Sequence, residues 1–193
     1  MAHVLLFHHA LGLTPGVHAF ADNLRGAGHR VDTPDLFEGR TFGTIPKGLE
    51  YVESIGFETV IDRGVKAALE LPSAIVYAGM SLGVLSAQKL AQTRAGARGA
   101  LFLYSCVPPE AFGCPWTADV PVQIHGMDQD PYFVDEADIE AARAVVASAN
   151  QGELFLYSGD QHYFADPTQP AYHPDAAKLL TERVLNFLAA LEA

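Results

Sequence analysis

The feature that most restricts the fold of this sequence is a regular alternation of short apolar runs with longer segments of helical periodicity. Six runs are rich in β-branched and aromatic residues, and they cover residues 4–8, 29–33, 74–78, 99–104, 120–125 and 153–157. Helical spacing of apolar residues occurs at residues 15–27, 57–70, 81–93, 135–150 and 174–191. Gly, Pro or Asp marks each change, so this order predicts consecutive β-α-β units.

Two of the central runs, at residues 75–78 and 100–103, are apolar on both faces. Strands of a parallel sheet have this pattern when helices cover both sides of the sheet. We therefore predict the α/β class, with a doubly wound, mostly parallel six-stranded sheet and helices on both faces. The length of 193 residues predicts a single domain, residues 1–193.

Three irregular stretches follow the second, fourth and sixth predicted strands, at residues 35–56, 105–119 and 158–173. In a parallel α/β sheet, the loops that leave the carboxyl ends of the strands form the ligand site. We therefore expect these stretches to border the functional site.

Composition and charge exclude several classes of function. Hydrophobic residues make up 49% of the chain and charged residues 18%, which indicates a soluble globular protein and not a disordered, collagenous or coiled-coil one. The 12 Lys and Arg against 23 Asp and Glu give a formal net charge of -11, without any basic run. Because polyanions would be repelled, the sequence predicts no nucleic-acid partner and no anionic membrane surface. No apolar run approaches the roughly 20 residues that span a bilayer.

The cysteines and the first residues favour a cytoplasmic location. Cys106 and Cys114 lack the companions that a zinc site or a disulfide framework requires, so reduced thiols are expected. Residues 1–21 have no basic leader and are interrupted by a Thr-Pro-Gly sequence, so they predict a strand and a loop instead of an export signal.

The segment from Gly79 to Gly83 has the pattern G-x-S-x-G, directly after a predicted strand and at the start of a helical segment. A nucleophile on such a sharp turn takes a strained backbone conformation, and side chains at both flanking positions would collide with the neighbouring strand and helix. Ser81 is therefore the candidate nucleophile. The alternative is a glycine-rich turn around a serine that caps the helix.

A serine hydroxyl needs a base to accept its proton and a carboxylate to orient that base. His162 follows the sixth predicted strand, and Asp128 and Asp130 follow the fifth. The order Ser, Asp, His is that of α/β-hydrolases. Each residue alone could be a solvated histidine or a turn aspartate, but their joint placement favours a catalytic interpretation.

The same chemistry requires two backbone donors for an oxyanion. One is the N–H of Leu82, which follows the nucleophile, and the other comes from the loop after the first strand, residues 8–12. The adjacent His8 and His9 of this loop suggest a metal site. No carboxylate or third histidine accompanies them at ligand spacing, so no metal is expected.

The sequence resembles the dienelactone hydrolase family of α/β-hydrolases, in a short form that starts near the third strand of the full fold. The similarity covers nearly the whole chain and rests on residues 8–16, 34–37, 79–83, 126–131, 159–164 and 182–188. Carried over residue by residue, it implies Ser81 as nucleophile, Asp130 as acid and His162 as base. It also implies the N–H groups of Ala10 and Leu82 as the oxyanion hole.

Three positions depart from the family's namesake. This chain has Ser81 in place of a cysteine, His9 in place of an acid in the first loop, and Asp166 in place of an arginine that holds the substrate. The namesake's lactone carries a carboxylate. An acid at the arginine position, in a chain of net charge -11, disfavours an anionic lactone.

The sequence thus predicts a serine hydrolase that cleaves a small-molecule carboxylic ester, lactone or thioester without metal or organic cofactor, as a monomer or a homodimer. Candidates for the pocket wall are His9, Arg40, Phe42, Phe112, Trp116, Tyr163 and Phe164. For each aromatic residue, the alternative is ordinary core packing. Two alternative functions stay open, namely a non-catalytic module that binds a small apolar ligand and an acyltransferase that uses the same residues.

Overall fold

Six strands form one sheet in the computed structural model, which describes residues 1–135 and 137–192. The strands are β1 (His3–Phe7), β2 (Arg30–Asp32), β3 (Val76–Met80), β4 (Gly99–Leu103), β5 (Val122–Met127) and β6 (Gly152–Tyr157). Their order in the sheet is β2-β1-β3-β4-β5-β6, and every neighbouring pair is parallel. The predicted α/β sheet is confirmed, and it is wholly parallel instead of mostly so.

Helices cover both faces of this sheet. They are α1 (Pro15–Gly26), α2 (Ile45–Ile55), α3 (Phe57–Leu69), α4 (Gly83–Thr93), α5 (Pro131–Val134), α6 (Asp138–Ser148) and α7 (Pro174–Ala190). Leu5 and Phe7 of β1 belong to a buried cluster with residues of α3, α4 and α6. Val4 and Leu6, which point to the opposite face, belong to a second cluster with residues of α1 and α7. None of the helices in the described residues has the length and hydropathy needed to cross a membrane.

Several element boundaries differ from the predicted ones. Strand β3 continues to Met80 because Gly79 and Met80 still pair with β4. Helix α4 begins at Gly83 and not at Ser81, because Ser81 has a φ of 49°, which a right-handed helix does not allow. Within the helix predicted over residues 135–150, the structure has α6 only, and the short α5 ends just before that segment. Of that segment, Glu136 lies outside the described residues, as does Ala193 at the end of the predicted domain.

Helix α2 corrects the expectation that residues 35–56 are irregular. Pro46 stands in its first turn, where proline is tolerated because its missing N–H has no partner in the helix. Gly48 is buried against the loop after β1, and a Cβ at this position would lie 1.9 Å from the carbonyl oxygen of Ala10. Both residues resemble helix breakers in the sequence, but here one starts the helix and the other permits close packing.

The sheet has a topological switch point at β1, which has β2 on one side and β3 on the other. Crevices at such points lie outside the carboxyl ends of the strands, where ligands bind in open α/β sheets. The loop after β1 and the turn after β3 therefore lie next to each other at this edge of the sheet.

Candidate active site

Ser81 lies on the sharp turn between β3 and α4, with a left-handed backbone conformation of φ 49°. Such a conformation is strained for a residue other than glycine, so the surrounding structure has to hold it. The Ser81 N–H donates to the Leu103 carbonyl of β4 at 2.7 Å, and its own carbonyl accepts from the Val84 N–H at 2.8 Å. Hydrogen bonds therefore fix both the N–H and the carbonyl group of Ser81.

The two glycines of the turn permit contacts that a side chain would prevent. A Cβ on Gly79 would lie 2.6 Å from the carbonyl carbon of Gly83, at the start of α4. A Cβ on Gly83 would lie 2.4 Å from the carbonyl oxygen of Phe7, at the end of β1. Leu82, and not Ser81, is the N-cap residue of α4, and it makes no side-chain cap bond. The alternative of a capping serine is therefore wrong.

The Ser81 side chain starts a chain of two short hydrogen bonds. Its Oγ lies 2.8 Å from Nε2 of His162, and Nδ1 of His162 lies 2.6 Å from Oδ2 of Asp130. An ionised carboxylate can only accept, so Nδ1 carries the proton and Nε2 is left to accept from the serine hydroxyl. Asp130 is fully buried, and His162 is 8% exposed. Three residues from three different loops thus meet at one point.

Asp130 is itself fixed by the backbone. It is the N-cap residue of α5, and its Oδ1 accepts the Tyr132 N–H at 3.0 Å. Asp128, by contrast, is exposed, and its Oδ1 accepts the Gly159 N–H at 3.0 Å. The structure brings Asp130 to His162, whereas Asp128 joins the loop after β5 to the loop after β6.

Aromatic rings surround the imidazole of His162. The ring centroids of Tyr163, Tyr132 and Tyr104 lie 4.6, 4.8 and 5.7 Å from its own centroid. Packing of this kind restricts the orientation of the imidazole and excludes water from most of its surface.

The loop after β1 contains Ala10, and two buried histidines hold that loop in place. Nδ1 of His8 lies 2.8 Å from the His9 carbonyl oxygen, and Nε2 of His8 accepts the Leu36 N–H at 3.0 Å. Burial is the main cause that lowers the pKa of His8 to about 4, so its ring is neutral at pH 7. His8 therefore links the loop after β1 to the loop after β2. Ala10 and Leu82 both line the cleft beside Ser81.

His9 is also fully buried, and it lies behind Tyr163. Its ring stacks on that of Tyr163 at 4.5 Å, and its Nδ1 accepts the Leu11 N–H at 3.3 Å. Its Nε2 lies 3.6 Å from Oδ2 of Asp166. Burial raises the pKa of Asp166, but the interactions with His9 and Thr168 outweigh it and leave the pKa below its usual value.

The sequence does not predict the contact between Asp166 and His9. The location of Asp166 also explains why position 16 is a glycine. A Cβ on Gly16, in the first turn of α1, would lie 1.9 Å from Oδ1 of Asp166. The carboxylate thus lies against the amino end of a helix, where the backbone dipoles favour negative charge. Within residues 1–135 and 137–192, no group of three or more His, Cys, Asp or Glu side chains could hold a metal ion.

The cleft beside Ser81 has a volume of about 230 Å³. Its wall is mainly apolar and consists of Ala10, Ile45, Leu49, Phe57, Leu82, Leu85, Tyr104, Ser105, Val107, Tyr132, Asp138 and His162. Asp138 is its acidic member, and Oδ2 of this residue accepts from the Ser105 hydroxyl at 2.5 Å and the Cys106 N–H at 3.2 Å. Among the described lining residues there is no Lys or Arg.

Two of the aromatic residues proposed for the pocket wall lie in the core instead. Trp116 is buried, packs edge-on against Phe102 at 5.9 Å, and donates its indole N–H to the Val120 carbonyl. Phe164 is fully buried and contacts the rings of Tyr104 and Tyr157. Both side chains pack against residues of the sheet, and neither lines the cleft.

Three other candidates do not line the cleft beside Ser81. Phe42 packs against the rings of Phe37 and Tyr51, and the guanidinium of Arg40 lies 5.4 Å from the Tyr51 ring centroid. Phe112 belongs to a short 3₁₀ helix, Pro109–Phe112, and does not line the cleft.

Tyr163 lines a second cavity of about 370 Å³ that adjoins the cleft. Ile45, Tyr132 and His162 line both spaces. Ile45 and Leu49 are not among the predicted pocket residues, because the sequence predicts an irregular stretch at residues 35–56. Their spacing with Val52, at i, i+4 and i+7, was the signal that could have revealed the helix.

Comparison with known proteins gives one family. The sequence model of the dienelactone hydrolase family matches residues 1–191. No significant match was found among curated protein sequences.

Solved structures with this fold include several hydrolases. A dienelactone hydrolase-like promiscuous phosphotriesterase from metagenomic libraries superposes with a TM-score of 0.77 at 17% identity, over 99% of this chain and 87% of that one. For a dienelactone hydrolase from Anabaena variabilis, the values are 0.67 and 15%, over 98% and 86%. For a cold-adapted esterase from an Arctic intertidal metagenomic library, they are 0.58 and 17%, over 94% and 81%. At these identities, the similarity establishes the fold.

Proposed function

Because the chain belongs to the dienelactone hydrolase family and is a hydrolase of ester bonds, we propose that it cleaves a neutral carboxylic ester, lactone or thioester through an acyl-enzyme on Ser81. The observation that carries this proposal is the hydrogen-bonded chain from Ser81 through His162 to Asp130, with distances of 2.8 and 2.6 Å. Membership of a hydrolase family also argues against a non-catalytic binding module.

In the acylation step, Ser81 Oγ attacks the carbonyl carbon while its proton passes to Nε2 of His162. Asp130 keeps the proton of Nδ1 in place and stabilises the imidazolium that forms. When the tetrahedral intermediate collapses, His162 gives its Nε2 proton to the leaving oxygen or sulfur. The acyl group remains bound to Ser81 as an ester.

In the deacylation step, His162 removes a proton from a water molecule, which attacks the acyl carbon. Collapse of this second intermediate returns the proton to Ser81 Oγ and releases the carboxylic acid. In both steps, the N–H groups of Ala10 and Leu82 would donate to the negative oxygen. Two observations support this role of the two N–H groups. Both residues line the cleft at Ser81, and Leu82 lies at the amino end of α4, where backbone N–H groups have no partner in the helix.

The walls of the cleft indicate the class of substrate. Ile45, Leu49, Leu85 and Val107 offer apolar contacts, and the volume of about 230 Å³ suits a short acyl chain. A carboxylate on the substrate would meet Asp138 and find no Lys or Arg among the described lining residues. These contacts favour a small neutral ester over an anionic lactone.

A series of p-nitrophenyl esters from acetate to decanoate, together with covalent labelling by a fluorophosphonate, tests the proposal. We expect turnover that declines with chain length, and a label that peptide mass spectrometry locates on Ser81. Ser81→Ala should abolish both, whereas Ser148→Ala, which removes an exposed hydroxyl on α6, should change neither. Product analysis with an added alcohol measures how much acyl group is transferred instead of hydrolysed. Absence of turnover and label in the wild-type protein would overturn the proposal.

A further inference from the structure

Tyr163 directly follows His162, and its ring is held by both imidazoles of this region. It stacks on His9 at 4.5 Å with an interplanar angle of 30°, and its centroid lies 4.6 Å from that of His162. The ring of Tyr104 packs against it edge-on at 5.7 Å. The side chain is 3% exposed. The position of the phenol is therefore fixed by packing on several sides.

The hydroxyl of Tyr163 is unusual because it is buried and has no hydrogen-bond partner among the described residues. A buried hydroxyl without a partner costs free energy, because it has lost its hydrogen bonds to water. Burial raises the pKa of this phenol, while interactions with the Ser81 side chain and the Ala10 backbone N–H lower it. Both groups therefore lie near the hydroxyl, and it forms a hydrogen bond to neither.

We propose that the Tyr163 hydroxyl is a third donor of the oxyanion hole, beside the N–H groups of Ala10 and Leu82. This inference rests on the function proposed above, since the oxyanion forms only if Ser81 attacks a carbonyl carbon. It gives a role to a buried donor that the resting protein leaves without an acceptor.

The role follows from how charge develops in the reaction. When Ser81 Oγ bonds to the carbonyl carbon, its proton moves to His162 and the carbonyl π electrons become a lone pair on the oxygen. Tyr163 donates a hydrogen bond to that oxygen and keeps its own proton, because burial raises the pKa of the phenol. The bond is released when the intermediate collapses and the leaving group departs. An interaction made only with the developing charge raises kcat more than it affects KM.

His9 and Asp166 belong to this arrangement as supports. The His9 ring is held by the Leu11 N–H on one nitrogen and faces Asp166 on the other, so it offers Tyr163 a fixed surface. A donor held in this way needs no reorganisation when the oxyanion forms. His9 touches no reacting atom in this account and acts through the tyrosine.

Tyr163→Phe tests the inference, because it removes the hydroxyl and keeps the ring that packs on His9 and His162. With a p-nitrophenyl ester that the wild type hydrolyses, we expect kcat to fall roughly 10- to 100-fold and KM to change less than about twofold. The matched control is Tyr77→Phe, which removes a hydroxyl bonded to Arg94 and should leave both constants within about twofold of the wild type.

A readout that packing alone would not change is the affinity for a trifluoromethyl ketone, which forms a tetrahedral adduct with a negative oxygen on the serine. Tyr163→Phe should weaken this affinity by the same factor as kcat/KM, with an unchanged melting temperature. If the Phe variant does not fold, 3-fluorotyrosine at position 163 replaces it. Its more acidic phenol should tighten the adduct.

Two outcomes separate the proposals. If the wild type neither hydrolyses esters nor labels at Ser81, the proposed function fails. If the wild type is active and Tyr163→Phe keeps kcat and analogue affinity within about twofold, or increases them, the role of Tyr163 alone is overturned.

Discussion

Oδ2 of Asp130 lies 2.6 Å from Nδ1 of His162, although 32 positions separate the two residues in the chain. Asp130 reaches this point because it caps α5, so that the Tyr132 N–H fixes its second oxygen. Asp128 is bonded elsewhere, to the Gly159 N–H. The two neighbouring acids therefore have separate tasks, which can be tested one at a time.

We expect Asp130→Asn to lower kcat by about 10³- to 10⁴-fold, because an amide neither stabilises the imidazolium nor enforces a proton on Nδ1. Asp128→Asn retains an acceptor for the Gly159 N–H and should cost less than about tenfold. Steady-state kinetics of both variants on one ester measure the difference. Equal losses, or a larger loss for Asp128→Asn, would contradict the proposed role of Asp130.

The turn at Ser81 gives a prediction on stability. Gly83→Ala would place a Cβ 2.4 Å from the Phe7 carbonyl oxygen, so we expect a loss of at least about 2 kcal/mol in the free energy of unfolding, together with lost activity. Gly26→Ala is the matched control, because nothing beyond its own helix and chain neighbours lies within 4 Å of its Cβ, and a helical alanine gains about 0.5–1 kcal/mol. Urea denaturation compares the two. A tolerated Gly83→Ala would show that the turn can shift.

The buried His125 makes the stability depend on pH. Its ring lies between the Tyr157 hydroxyl and Oε1 of Gln123, and burial, with a smaller effect of Arg183, lowers its pKa from 6.5 to about 3. As the pH falls below 6.5, the unfolded chain takes up the proton first, so stability decreases by about 1.4 kcal/mol per pH unit until the pH reaches the native pKa. Above 6.5 this contribution does not vary with pH.

We expect His125→Gln to be less stable than the wild type and to have a shallower dependence of the unfolding free energy on pH, by about 1.4 kcal/mol per unit between about pH 6 and 4. His18→Gln removes an exposed imidazole and should retain the wild-type slope. Denaturation curves at several pH values give both slopes. Identical slopes for all three proteins would disprove the assignment to His125.

The cleft wall gives a prediction on substrate preference. Leu49→Ala removes part of the apolar wall that α2 contributes, so longer acyl chains should gain relative to acetate. We expect the ratio of kcat/KM for hexanoate over acetate to rise roughly tenfold, since each methylene that finds apolar contact contributes to binding. Leu179→Ala, on the exposed side of α7, should not change the ratio. The substrate series described above provides the measurement.

The sequence was most informative at positions where the structure accepts few residue types. The apolar runs predicted six strands because a strand covered on both faces tolerates few polar residues, and β4, which is buried throughout, has this pattern. The turn at Ser81 was predictable because Gly79 and Gly83 allow backbone contacts that a Cβ would prevent. Because both acids occupy turn positions, the choice of Asp130 over Asp128 came from the family resemblance and from the adjacent Pro131, which can make the loop rigid.

The walls of the cleft were less predictable, because aromatic residues in loops have no periodicity that indicates the side they face. Trp116 and Phe164 follow the same strands as residues near the cleft, yet they turn toward the core. Helix α2 was missed because Pro46 and Gly48 normally end helices. Its Ile45 and Leu49 then entered the cleft from a segment predicted to be irregular. The sequence also does not reveal which groups the side chains of Tyr163 and Asp166 contact.

Strand β6 pairs only with β5 among the described strands, and Leu156, near its carboxyl end, is 40% exposed. His162 lies in the loop that follows this edge strand, whereas Trp116, the single tryptophan of the chain, packs against Phe102 of the central β4. Edge strands detach by local unfolding more easily than the middle of a sheet. As the denaturant concentration rises, ester turnover should therefore be lost before tryptophan fluorescence changes. The protein would then be inactive while most of it remains folded.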